Sequence, residues 1–374
     1  MKAKKVFVGL SGGVDSAVSA ALLKKEGYDV TGVFITIAIA GYPCPAAEDR
    51  ISAMRVAAHL DIPFLEVNLS KEYEQEVFRP SIEEWRKGRT PNPDTLCNEK
   101  IKFGIFFDWC ISRDADFVAT GHYAQLVAEK PASQRSSDLL AKGSARPFAH
   151  QVSPTHLLMG EDENKDQTYF LWAVPENKLK QTLFPIGHLQ KSEVRVLADK
   201  LGLPNAKRPD SQGLCFLGDI SLDDMLQHEL GLTPGSVLDE NGEVVGTHRG
   251  AALYTQGQRH GFDLHASSPD TQPHFVSAKD VAANTITVSS ERVPSQEASP
   301  HLLLTDTNWI GKVEDGPCMA RFRYRQPLMP ATLVRVEGEE KVLLGVPERV
   351  PVGQSLVLYR DNRCLGGGVI SATL

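Results

Sequence analysis

Cysteine is scarce in this chain: six in 374 residues, scattered, with no Cys-x-x-Cys pair. That excludes a disulfide-stapled scaffold in a protein this long. His260 and His265 have a ligand-like spacing but no cysteine pair to complete a structural zinc site. A reducing compartment with one or two working thiols is the expectation. Long apolar runs are also missing. No stretch of about 18 apolar residues occurs, so no membrane span is expected. Met1-Lys2-Ala3-Lys4-Lys5 runs straight into an apolar strand, without a leader pattern, which points to the cytoplasm. Positive charge is not in excess: 40 Lys and Arg stand against 47 Asp and Glu, for a net charge of −7. The balance gives no general argument for a nucleic-acid partner, although a local basic face can act within an acidic protein. No fixed-period repeat is visible.

What is present is concentrated near the start. The apolar run Val6-Phe7-Val8 is followed by Gly9, Leu10 and then Ser11-Gly12-Gly13-Val14-Asp15-Ser16, which opens a helical stretch. A strand, a glycine-rich turn and a helix N-terminus make an anion cradle, because backbone N–H groups and the helix dipole converge there. Gly12 and Gly13 allow positive φ and close approach. Asp15 suits a Mg²⁺ ligand or a helix cap. The turn lacks the Gly-x-x-x-x-Gly-Lys-Ser/Thr pattern, and no lysine follows to reach a γ-phosphate. It therefore suits a site that grips pyrophosphate while chemistry proceeds at the α-phosphate.

Strand candidates at 5–9, 29–34, 64–68 and 116–120 alternate with helix candidates at 16–26, 46–59, 73–85 and 98–113. That alternation predicts an α/β fold with a parallel sheet, ligands binding at the carboxyl ends of its strands. Both 9–16 and Thr120-Gly121-His122-Tyr123 fall at such ends and are expected to face one cleft. A polar insertion is read at 129–155. The boundaries expected are a catalytic domain over 1–216, a small central domain over 217–273 and a β-barrel over 274–374, the last from short β segments with turn signals.

Two cysteines sit in polar, turn-rich text. Cys97 ends Thr90-Pro91-Asn92-Pro93-Asp94-Thr95-Leu96-Cys97, just before a helix expected from Asn98, where a thiol would gain thiolate character. Cys215 lies in Asp210-Ser211-Gln212-Gly213-Leu214-Cys215-Phe216. Local context leaves a reactive or a packing role open for each. Cys110, Cys318 and Cys364 sit in apolar text and read as core residues.

The Ser-Gly-Gly-x-Asp-Ser turn resembles the PP-loop of the N-type ATP pyrophosphatases. Asn92-Pro93-Asp94-Thr95-Leu96-Cys97-Asn98, Thr120-Gly121-His122-Tyr123-Ala124, Lys165-Asp166-Gln167, Asp210–Phe216 and Arg323-Tyr324-Arg325, in that order, resemble the bacterial tRNA-specific 2-thiouridylases over nearly the whole chain. The resemblance implies a Rossmann-like PP-loop domain. It implies ATP with Mg²⁺ as cofactors, bound by Gly9 to Ser16, Ile35 and Gly121. It also implies thiolation of a wobble uridine in tRNA (the Lys, Glu and Gln tRNAs). In that family pattern Cys215 carries a persulfide and Cys97 is the nucleophile, which either attacks the persulfide, releasing sulfide and leaving a transient Cys97–Cys215 disulfide, or assists the terminal sulfur directly; the sequence does not choose between them. Asp94 would be an acid/base, and Asn92, Pro93, Asp94, Lys165, Asp166, Gln167, Arg323 and Tyr324 would contact tRNA. A persulfide donor, either a cysteine desulfurase or a relay protein, is implied as a partner. The chain departs from the family at Ile35-Thr36-Ile37-Ala38-Ile39-Ala40, where polar residues are usual. Lys100, Lys102, Lys165, Lys207, Arg208 and Arg259 are expected phosphate contacts.

Two other readings compete. A PP-loop ligase or amidotransferase would not need the thiol pair, so serine at 97 and 215 would leave it active. A non-catalytic tRNA-binding protein would show no tRNA-dependent turnover of ATP to pyrophosphate.

Overall fold

A computed structural model describes residues 3–42, 46–128, 155–210, 221–265, 272–292 and 300–374. Its first layer is a five-stranded parallel sheet. Strands β1 (Lys5–Gly9), β2 (Asp29–Thr36), β3 (Phe64–Asn68) and β4 (Phe117–Ala119) are joined at the edge by the short strand Thr182–Leu183; the order is β3, β2, β1, β4, then that strand. β1 is apolar on both faces because both are covered. Val6 and Val8 face one core with helix α1 (Val14–Lys25), and Phe7 faces the other with Cys97, Ile101 and Phe106. α1 buries Ala17, Val18, Ala20, Ala21 and Leu23, and the alanines among them let it lie close to the sheet.

The central unit joins the Leu222–Leu230 helix to a five-stranded sheet built from 235–238, 244–248, 262–264, 275–280 and 285–289. The boundary expected between 273 and 274 cuts through this sheet. Phe275–Asp280 and Thr285–Ser289 pair with each other, and Thr285–Ser289 runs parallel to Gly235–Leu238, which locks them to the central unit. That pairing is non-local and leaves no local sequence mark.

The last unit is a six-stranded barrel closed by pairing of His301–Trp309 with Arg363–Thr373. A hairpin from the catalytic layer extends it. Ala124–Ala128 pairs with Thr155–Met159, whose Leu157 and Leu158 pair with Cys364 and Arg363 of the barrel. The hairpin brackets the expected insertion, of which 129–154 lie outside the described residues. A buried ion pair reinforces the joint: Arg321 of the barrel meets Asp166 of the catalytic layer, with Thr168 and Tyr359 completing the network. No helix among the described residues is long and apolar enough to cross a membrane.

Candidate active site

The glycine-rich turn folds as expected between β1 and α1. Gly12 takes φ of +78°, the left-handed region where glycine is at ease, and a Cβ there would meet the Asp49 carbonyl oxygen at 2.4 Å. The Ser16 hydroxyl ties the turn by accepting from Ser11 N (3.2 Å) and donating to Gly13 O (3.1 Å). Gly13 is the helix N-cap and Asp15 lies in the first turn, so the cap role considered for Asp15 does not apply. Leu10 and Val14 point into the core, leaving only their backbone to a ligand.

Outside the turn, three side chains hold it by one atom. Ser52 Oγ and Asn205 Nδ2 each donate to Gly12 O at 2.8 Å, and Arg208 Nη1 approaches at 3.4 Å while its other nitrogen pairs with Asp49. Arg208, expected as an RNA phosphate contact, is thus a brace of the loop. No spacing rule in the sequence marks Asn205 or Ser52 for this job.

The two segments expected to share a cleft do so. A Cβ on Gly121 would stand 2.8 Å from Ser16 N, so the 120–123 turn packs directly on the loop. Tyr123 donates its hydroxyl to Asp15 Oδ1 at 2.8 Å. Its backbone N–H donates to Gln167 Oε1 (3.0 Å), which gives Gln167 a bracing contact. His122 is buried between Phe103 and Phe184, 2.8 Å from Thr120 Oγ1, and burial holds its pKa well below the usual value. It is a neutral packing residue.

Lys191 bridges Asp15 and Asp210, at 2.7 and 2.8 Å, and Lys165 reaches Asp210 at 2.7 Å. Burial raises the Asp210 pKa, but hydrogen bonds from Lys165 and Lys191 and their charges outweigh it and hold the carboxyl well below the usual range. Asp210 stands five positions before Cys215, which lies, with Cys44, outside the described residues.

Cys97 differs from the local reading. The helix starts five residues earlier than expected, at Pro93, with Asn92 as N-cap accepting from Thr95 N at 3.1 Å. Proline at the first helical position and asparagine before it are helix start signals. Cys97 therefore sits within a continuous helical stretch that passes into a π-helical segment, Cys97–Ile105, and its side chain is fully buried. π segments often mark functional sites. Beside it, Thr95 Oγ1 and Asn98 Oδ1 are buried and find no hydrogen-bond partner among the described residues. Cys110, Cys318 and Cys364 are core residues as expected, and burial pushes the Cys364 thiol up to about 12. Ile35 packs in the core with Phe7, Val33 and Ile37.

A cleft of about 220 Å³ is lined by Pro91, Asn92, Pro93, Tyr169, Phe170, Arg323, Tyr324 and Gln354. The Phe170 and Tyr324 rings lie 4.7 Å apart, and Arg323 is anchored by donating to Gln256 O at 2.7 Å. Asp94 lies in the first turn beside this rim. Asp166, expected to touch RNA, is corrected: its side chain is 0% exposed and takes up Arg321, Thr168 and the Gly160 N–H, so it fixes the barrel.

Family models match three consecutive segments: "tRNA methyl transferase HUP domain" over 4–219, "tRNA methyl transferase PRC-barrel domain" over 223–290 and "Aminomethyltransferase beta-barrel domain" over 299–370. Among curated relatives, the "tRNA-specific 2-thiouridylase MnmA" of Streptococcus thermophilus is 40% identical, covering 98% of this chain and 95% of its own. The protein of the same name from Nitrosomonas eutropha is 39% identical over 99% of both. A solved 4-thiouridine synthetase–RNA complex with bound ATP aligns at a TM-score of 0.35 and 17% identity, over 61% of this chain and 50% of that one, too loosely to carry an argument. By its full-length similarity to the curated relatives, this chain belongs to the tRNA-specific 2-thiouridylase family.

Proposed function

We propose that the chain uses ATP to activate the C2 carbonyl of a wobble uridine in tRNA and replaces that oxygen with sulfur. The observation that carries this reading is the shared cleft. Asn92 and Pro93 meet Arg323 and Tyr324 there, although some 230 positions separate them in sequence. An extruded base needs aromatic faces and a nearby cation, and Phe170, Tyr324 and Arg323 supply them.

The chemistry draws on that cleft and on the glycine-rich loop. The turn from Gly9 to Ser16, held open by Ser52, Asn205 and Arg208, receives the diphosphate, with Gly121 closing over the nucleotide. The uracil O2 bonds to the α-phosphorus, the α–β bridging bond breaks, and pyrophosphate leaves into the loop. Asp94 serves as acid/base at the base. The terminal sulfur of a Cys215 persulfide then bonds to C2 as AMP departs with the oxygen. In one route Cys97 takes the inner sulfur, so two thiols are oxidised to the Cys97–Cys215 disulfide while the transferred sulfur is reduced; an external thiol resets the pair. In the other, Cys97 takes the inner sulfur before C2 is attacked, and the hydrosulfide set free in the pocket bonds to C2 as AMP departs, leaving the same disulfide. Cys97 is covered in this state, so entry of the base must uncover it. The unpartnered Thr95 and Asn98 oxygens support a segment that completes its bonding only then.

Mg²⁺ fits this site only as an ion carried with the nucleotide. No group of three or more His, Cys, Asp or Glu side chains among the described residues could hold a metal. Asp15 would offer one carboxylate, in keeping with the few protein ligands Mg²⁺ usually takes, and the ion would neutralise diphosphate charge. The persulfide donor is a cysteine desulfurase or a relay protein, and the compartment is the cytoplasm. The test is mass spectrometry of tRNA nucleosides after incubation with ATP, Mg²⁺, a desulfurase and cysteine. A 2-thiouridine product is expected; unmodified uridine with a competent donor present overturns the reading.

A further inference from the structure

The loop contains no cation of its own. The next lysines in sequence, Lys24 and Lys25, lie at the far end of α1, roughly 14 Å along the helix axis from Asp15. We propose that Lys191 is the phosphate-binding lysine that the loop's own sequence omits, delivered from 176 positions downstream to contact the diphosphate of bound ATP. The inference deepens the functional reading above and rests on it.

Four observations support the assignment. The Lys191 Nζ stands 2.7 and 2.9 Å from the two Asp15 carboxylate oxygens and 2.8 Å from Asp210, at the first turn of the helix whose N-terminus forms the cradle. Its backbone is held at the start of a helix: the Lys191 N–H donates to Asp162 at 2.9 Å, and Gln190 with Glu193 forms a capping box. The side chain is only 15% exposed, so its charge is weakly screened. Finally, neither carboxylate depends on it alone. Asp210 also holds Lys165 and Arg195, and Asp15 keeps the Tyr123 hydroxyl. Lys191 can therefore turn to an incoming anion without stranding a buried charge, which a purely structural ion pair could not do.

The experiment is isothermal titration of the full-length protein with inorganic pyrophosphate, comparing wild type with Lys191→Gln, Lys191→Arg and Asp210→Asn. Loss of a charge-assisted hydrogen bond predicts that Lys191→Gln weakens pyrophosphate about ten- to a hundredfold. Lys191→Arg should stay within several-fold of wild type, and Asp210→Asn, which keeps the ammonium, should bind as well or better. Wild-type affinity in Lys191→Gln overturns the proposal, as does an equal loss in Lys191→Gln and Asp210→Asn, which would mark Lys191 as a brace. A wild type that binds neither pyrophosphate nor ATP overturns the ATP reading together with it. Should Lys191→Gln not fold, amine acylation of the wild type read by mass spectrometry decides: pyrophosphate should protect Lys191 more than Lys165, and equal labelling with and without pyrophosphate sinks the assignment.

Discussion

Asp166 and Arg321 form an ion pair with both partners withdrawn from water, their side chains 0% and 5% exposed. One belongs to the catalytic layer and the other to the barrel, 155 positions on. Removing one partner strands the other, at a cost of about 3–5 kcal/mol. Asp166→Ala is therefore expected to lower the thermal midpoint sharply. It should also weaken tRNA binding, measured by filter retention, because Arg323 and Tyr324 lose their register with Asn92.

Gly121→Ala places a methyl 2.8 Å from Ser16 N, in backbone that cannot yield without moving the loop. Overpacking of this kind costs about 1–3 kcal/mol. The expected result is a drop in nucleotide affinity of tenfold or more by titration. Gly27→Ala serves as a control, because open space surrounds that position; its φ of +87° confines the damage to local strain at the end of α1.

Acid should destabilise the protein in two windows. His122 is held neutral by burial, so the unfolded chain binds the extra proton and stability falls as pH drops below the ordinary histidine value of about 6.5. Asp210 has its pKa depressed, so its contribution is present above the ordinary carboxylate value of about 3.9 and is lost as pH falls below it. Denaturant titrations across pH should show His122→Phe flattening the first window and Asp210→Asn the second. Unchanged slopes in both variants would refute the assignment.

The thiols should separate cleanly. Cys97→Ser and Cys215→Ser are expected to abolish 2-thiouridine formation while tRNA-dependent release of pyrophosphate persists. Cys110→Ala should retain sulfur transfer and lose only stability, about 1 kcal/mol, because its thiol is buried in the core. Nucleoside mass spectrometry and a pyrophosphate assay on each variant provide the check.

Much of this was legible in the chain. The strands at 5–9 and 64–68 and the helix at 46–59 were readable because apolar runs and helical periodicity are local signals. The loop was legible because close backbone approach demands glycine at 12 and 13, and the 120–123 turn because it falls at a strand's carboxyl end. Three things were not. Asp166 reads as a solvated charge beside Lys165 and Gln167, and only the fold brings Arg321 over it. The start of the Cys97 helix was hidden in an Asn-Pro-Asp string that serves turns and helix caps equally. Lys191 and Asn205 act on a loop more than 170 positions away, where no spacing rule reaches.

Because the 155–159 strand is stitched into the barrel wall at Leu157 and Leu158, the hairpin ties the catalytic layer to the barrel. The Pro93 and Tyr324 sides of the aromatic cleft thus keep a common register. On the proposed function, an anticodon loop entering there would have to distort to fit, and RNAs would be sorted by how easily they unstack.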